Sequence, residues 1–222
     1  KIKEQFEDYF ILFLPKDVVS GDFYWMDITP KHTVFIEADC TGHGIPGAVM
    51  TMLARVLLRE ATSVLGYRDP AEILTHMDKA VRTILNQTDY SSMQDGMDMS
   101  ICVIDEGSNK IEFAQAQRPV CILLEDKNEI DIVKGDRYAV GGFSEIEKKF
   151  KTPSYKHSQV KQFYMFSDGY TDQFGGENVK KYGTNQFVKT LNTISKMPLS
   201  KQKDFLFNEI KNWRGELDQI DD

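Results

Sequence analysis

The sequence predicts an α+β fold: two antiparallel sheets face to face, with helix pairs covering the outside. Three observations predict it. Strand-like and helix-like stretches come in blocks: three strands, two helices, about five strands, two helices. The strands are closely spaced and mostly joined by short turns, as antiparallel pairing allows. Each long helical stretch carries an apolar stripe at helical spacing.

β-branched and apolar runs place strands at Phe10–Leu14, Phe23–Ile28 and Thr33–Cys40. This first block has no clean polar face, as expected of sheet covered on both sides. Further strands are predicted at Met97–Ile104, Lys110–Ala116, Val120–Leu124, Glu129–Val133 and Val160–Ser167. A helix is expected over Pro46–Leu65, with Pro46 in its first turn, where a missing N–H costs nothing. Its stripe reads Val49, Met52, Leu53, Val56, Leu57, Ala61 and Val64, with Glu60 the polar break. A second helix spans Pro70–Asn86 on Ile73, Leu74, Met77, Val81, Ile84 and Leu85. Asn86–Gly96 is polar and reads as a loop. Helices at Thr184–Ser195 and Ser200–Trp213 close the order, the last with Phe205, Leu206, Ile210 and Trp213 as its stripe.

The 222 residues fit one domain spanning 1–222. No apolar run approaches the ~18–20 residues of a membrane span. The net charge of −7 does not attract a phosphate backbone, so nucleic acid is not an expected partner. Cys40, Cys102 and Cys121 form no CxxC pair and are odd in number. That argues against a disulfide scaffold or zinc knuckle and for buried free thiols in a cytoplasm.

The chemistry is carried by carboxylates. A turn at Thr29–His32 joins the second and third strands, and Asp22 and Asp39 lie equally far from it. In a regular hairpin they are directly opposed, with Cβ atoms ~4.5–5.5 Å apart. Two bare carboxylates so close must share a proton or a cation. Asp39 runs into Cys40-Thr41-Gly42-His43-Gly44, a Gly-rich turn at a helix start. Asp168-Gly169 follows another strand end, Asp172 comes four residues later, and Asp221-Asp222 closes the chain. Strand-end carboxylates at four places suit one rim. Oxygen ligands without a Cys or His cluster favour Mg²⁺ or Mn²⁺ over zinc. Glu37, in phase with Asp39, is either a supporting group or a rim residue.

Five stretches carry a resemblance. They are Pro15–Trp25, Ala38–Ala48, Asp95-Gly96-Met97-Asp98-Met99, Phe166–Gly176 and Gln219-Ile220-Asp221-Asp222. In sequence and order they resemble the motifs of SpoIIE/RsbU-type phosphatase domains, within the PPM superfamily of metal-dependent protein serine/threonine phosphatases. The resemblance implies an αββα sandwich and two Mn²⁺ or Mg²⁺ ions at one rim. By motif position, Asp22, Asp39, Asp168 and Asp221 would be carboxylate ligands, and the Cys40 backbone carbonyl a further one. Asp172 would help hold a weak third ion. His43 would be a general acid or would only shape its loop.

The implied substrate is a phosphorylated STAS-domain anti-sigma-factor antagonist. The chain would be a C-terminal output module behind a sensor or receiver domain, which could attach the whole protein to a membrane. Helix pairing near Lys1–Tyr9 is one route for the signal, and a homodimer is compatible with it. The alternative is a weak or inactive module of the same fold that docks a signalling partner. A small-phosphoester hydrolase is a third reading, without a nucleotide motif to support it.

The pattern departs in places. Gln115 and Gln117 stand where the family has Gly and Asn, and whether Gln115 alters a turn near the rim is left open. No Arg precedes Asp22, and Lys16 is the nearest cation. The family's last strand would follow Asp222, so Asp221 is expected to be loosely held, metal binding weak, and the chain mobile after about Trp213.

Overall fold

A computed structural model describes residues 9–222. The expected helix pairing near Lys1–Tyr9 lies almost entirely outside them. The larger sheet orders β1 (Asp22–Ile28), β2 (His32–Cys40), β3 (Gly96–Asp105), β4 (Lys110–Ala116) and β8 (Ser154–Lys156), with β7 (Val140–Gly141) pairing the start of β3. A second sheet orders β6 (Asp131–Val133), β5 (Val120–Leu124) and β9 (Val160–Met165). All these ladders are antiparallel.

Alternation along the strands builds three cores. On β3, Met97, Met99, Ile101 and Val103 pack toward α1 (Gly44–Arg59) and α2 (Pro70–Ile84), with Ala54, Leu58, Leu74 and Met77. The intervening Cys102 and Ile104 meet Ile111, Phe113, Val120 and Ile122 between the two sheets. Behind the second sheet, Cys121 and Leu123 pack on Phe187 and Leu191 of α4 (Thr184–Ile194) and on Leu206 of α5 (Leu199–Arg214). The layers are therefore helices, sheet, sheet, helices, the expected αββα sandwich. Two short elements cap its rim: α3 (Gly169–Asp172) and the hairpin β10 (Phe174–Gly175) with β11 (Lys180–Lys181). All three thiols are free and buried.

Several expectations change. Residues 10–14 form no strand; they line a cavity of about 880 Å³ between β1, β2 and β9. The apolar run there marks burial, since Phe10 and Leu12 pack on the rear core without a ladder. The first helix starts at Gly44 and ends in a π turn over Glu60–Val64. Its buried face is Gly47, Met50, Ala54, Leu57 and Leu58, while Val49, Met52, Val56 and Val64 are exposed. This helix is apolar almost all round, so spacing alone does not select its inner face. In α2 the expected stripe is buried from Ile73 to Val81, but Ile84 is exposed. Asp69 caps that helix by accepting from the Ala71 N–H at 2.7 Å. Strands β7, β8, β10 and β11 are two or three residues each, too short to leave a periodic signal.

Candidate active site

Strand phase sets the site. On β1, β2 and β3 the residues turned away from α1 and α2 include Asp22, Glu37, Asp39 and Asp98, at one end of the inter-sheet layer. The ladder pairs Asp22 with Asp39 and Asp39 with Asp98, three carboxylates in a row across three strands. Asp168 comes to the same rim after β9, and Arg118 reaches in from the turn after β4. Its Nη1 lies 3.0 Å from Asp168 Oδ2, and its Nη2 pairs with Asp39 Oδ2 and lies 3.5 Å from Asp98 Oδ2.

Close backbone packing holds the turn beside Asp22. A Cβ on Gly21 would lie 2.6 Å from the Gly42 oxygen, and one on Gly47 would lie 2.2 Å from it. Only glycine lets these three segments meet. The Cys40 N–H donates to the Gly21 oxygen, and the Cys40 carbonyl also faces Gly21. Thr51 donates to the Gly21 oxygen at 2.9 Å.

The electrostatics are those of crowded acids. Burial, then the charge of Asp39, pushes the Asp22 carboxyl up. Burial raises Asp39 as well, and Arg118 opposes the rise. Glu37 is pushed up to about 7, chiefly by burial, although Ser100 Oγ donates to it at 2.8 Å. Burial also raises the Cys40 thiol to about 12, so it stays protonated and is no nucleophile near neutral pH.

The remaining expected residues divide. His43 is exposed beside the rim, and its Nδ1 lies 3.0 Å from Asp17 Oδ2, leaving Nε2 for a substrate. Asp172 is paired with Lys181 Nζ at 2.6 Å, and so already has a cation. Asp221 is half-buried and close enough to raise Asp39. Its tail is held rather than loose. Asp222 accepts from the Lys16 N–H at 2.8 Å and the Gly21 N–H at 2.9 Å, and Gln173 donates to the Asp218 oxygen at 3.0 Å. The tail backbone runs so close over Gly169 that a Cβ there would meet the Asp222 oxygen at 1.8 Å. Lys16 is neither free nor at the rim carboxylates: its Nζ donates to the Ile220 oxygen at 2.8 Å. Gln115 disturbs no turn. It sits within β4, and the left-handed residue is Gln117, with φ +68.

Sequence reasoning passed over Asp98, Arg118 and Asp17 as site residues. Asp98 had a signal, a lone charge between Met97 and Met99 in a buried strand. Asp17 lies in the first resembling stretch and Arg118 at the basic residue before Pro119, but their partners are distant in sequence, so local reading assigned them no role.

Among the described residues, no three acidic, His or Cys side chains are gathered closely enough to hold an ion as they stand. The Arg118 fork sits among Asp39, Asp98 and Asp168 instead. The donor chemistry still fits a hard divalent cation. The donors are all oxygen, the carboxylates outnumber the one guanidinium, and the buried Glu37 Oε1 has no hydrogen-bond partner.

The family model for Stage II sporulation protein E (SpoIIE) matches residues 29–222. The chain belongs to the SpoIIE family. Among solved structures, this SpoIIE-family chain is similar to the SiaA-PP2C domain of Pseudomonas aeruginosa, with 32% identity over 96% of this chain and 81% of that one, at TM-score 0.82. The phosphatase domain of SpoIIE from Bacillus subtilis, solved with a fragment of its regulatory domain, is 17% identical over 92% of this chain and 57% of that one, at TM-score 0.67. A structure of RsbX in complex with magnesium is 15% identical over 91% of this chain and 85% of that one, at TM-score 0.60. No curated protein matches in sequence. The chain is thus a PP2C-like phosphatase domain of the SpoIIE type. No helix of the described residues is long and apolar enough to cross a membrane.

Proposed function

We propose that this domain is a Mn²⁺- or Mg²⁺-dependent protein serine/threonine phosphatase acting on a phosphorylated STAS-domain regulator in bacterial signalling. The observation that carries this reading is the row Asp22, Asp39, Asp98 across three strands, with Asp168 at the same rim. Asp22, Asp39, Asp168 and Asp221 would hold two ions with the Cys40 carbonyl, while Asp172 would contribute to a third only by leaving Lys181. The magnesium in the RsbX complex supports this choice of ion. When bound, the ions supply the Lewis acidity that makes water a nucleophile near neutral pH.

The chain's own residues do the rest. Asp22 and Asp39 lie on strands fixed by a shared ladder, so the geometry is set before substrate arrives. Glu37 and Ser100 support Asp39 from one step deeper on the same face. Asp17 holds the His43 ring by Nδ1, and Nε2 would give a proton to the leaving serine or threonine oxygen. The thiol of Cys40 takes no part.

The test is mass spectrometry of a serine-phosphorylated STAS-domain protein incubated with the domain. Loss of the phosphoryl group with Mn²⁺ and its retention in chelator are expected. Retention in both, with the partner still captured, identifies a docking module instead.

A further inference from the structure

We propose that Arg118 is a built-in counter-cation of the acidic rim that competes with the divalent ion, so that it sets how much metal the domain needs. This rests on the metal-dependent reading above and names a regulation of the same site.

Four observations carry it. Arg118 is well enclosed, with 11% of its side chain exposed, and it contacts three carboxylates from three elements. Among the described residues, no other Lys, Arg or His forms an ion pair with Asp39, Asp98 or Asp168. Two of those three are residues proposed to hold the ions. Third, Arg118 Nε is buried without a partner, so the guanidinium is bound to the acids and to little else. That leaves one of its five donors unsatisfied. Fourth, the backbone that delivers the side chain to the rim is fixed. The turn is pinned by Gln117 N–H to the Asp136 oxygen at 2.9 Å and Arg118 N–H to the Ala116 oxygen at 2.8 Å. The side chain beyond it has rotatable bonds to spare.

The competition follows from charge and space. A carboxylate ligand sits ~2.0–2.6 Å from Mg²⁺ or Ca²⁺-like hard ions. An oxygen of Asp39 already engaged by a guanidinium cannot take that position without bringing two like charges together in a poorly screened pocket. Arg118 therefore yields Asp39 and Asp168 before they close on an ion. Its charge offsets the repulsion among Asp39, Asp98 and Asp168.

The experiment is calorimetric titration of MnCl₂ into chelator-stripped wild type, Arg118→Ala and Arg118→Lys, with thermal denaturation of each in chelator and in saturating Mn²⁺. Arg118→Ala should bind Mn²⁺ roughly tenfold tighter or more. It should melt lower than wild type in chelator, and the gap should narrow with Mn²⁺. Arg118→Lys, which keeps the charge but loses the fork, should bind with intermediate affinity, and it carries the test if the Ala variant does not fold. Affinity unchanged or weakened in both variants, or a melting gap that Mn²⁺ leaves in place, makes Arg118 a fixed structural residue and overturns the proposal. Phosphate release is measured separately on the same preparations. Tighter Mn²⁺ binding by an inactive protein supports the role of Arg118 and counts against the phosphatase reading; an active protein with unchanged affinity does the reverse.

Discussion

Asp22 and Asp39 are direct partners in the β1–β2 ladder, and burial pushes both carboxyls up, favouring their protonated forms. Two acids in that position are costly unless something positive replaces the proton. Asp39→Asn removes one charge from a rim position and leaves the core intact. Mn²⁺-dependent phosphate release should fall roughly 10³-fold, about 4 kcal/mol of transition-state stabilisation. The circular dichroism spectrum should not change. Activity within a few-fold of wild type means that another carboxylate does this work.

Glu37 gives a pH signature. Its folded pKa is raised, from 4.5 to about 7, so the folded state binds the proton more tightly than the unfolded chain does. The contribution of Glu37 to stability is therefore most favourable below about pH 4.5 and declines as the pH rises through 7. In chelator, denaturant unfolding of wild type should show this decline, and Glu37→Gln should flatten it by a few kcal/mol. Parallel curves for the two proteins contradict the burial argument.

His43 and Asp17 are separable by substrate. With His43→Ala, an aryl phosphate with a good leaving group should lose little. A phosphoserine peptide, whose leaving oxygen needs a proton, should lose ~10²–10⁴-fold. Asp17→Asn should show the same selectivity more weakly. Equal losses on both substrates assign His43 to the loop alone.

The tail supplies a fourth prediction. Asp222 ties residues 215–222 to Lys16 and Gly21, and so fixes Asp221 at the rim. Asp222→Ala leaves two N–H groups without their acceptor, at about 1–3 kcal/mol each if they stay dry. Melting temperature and Mn²⁺ affinity should both drop. A loss of stability without a loss of affinity removes Asp221 from the ligand set.

Much of this was legible in the sequence, for identifiable reasons. The Asp22–Asp39 pairing came from counting outward from one turn, because a regular hairpin has a single register. The layer order came from the family resemblance, with which the block order of strands and helices is compatible. The inner face of α1 was not legible, since Ile45, Val49, Met52 and Val56 are as apolar as the residues buried opposite them and are exposed nonetheless. Residues 10–14 are a continuous apolar run that reads as a strand but has no ladder. Arg118 is invisible to local reading, since its three acids lie 79, 20 and 50 positions away along the chain. The anchoring of the tail was missed for the same reason: Asp222 meets Lys16 across 206 positions.

The central claim is that the acid rim works through a divalent ion. The most direct test is phosphate release from a serine-phosphorylated STAS-domain protein by chelator-stripped domain, followed as Mn²⁺ is added back. The account predicts no release in chelator and a rate that rises with Mn²⁺ occupancy measured calorimetrically on the same preparation. Full turnover in excess chelator would contradict it.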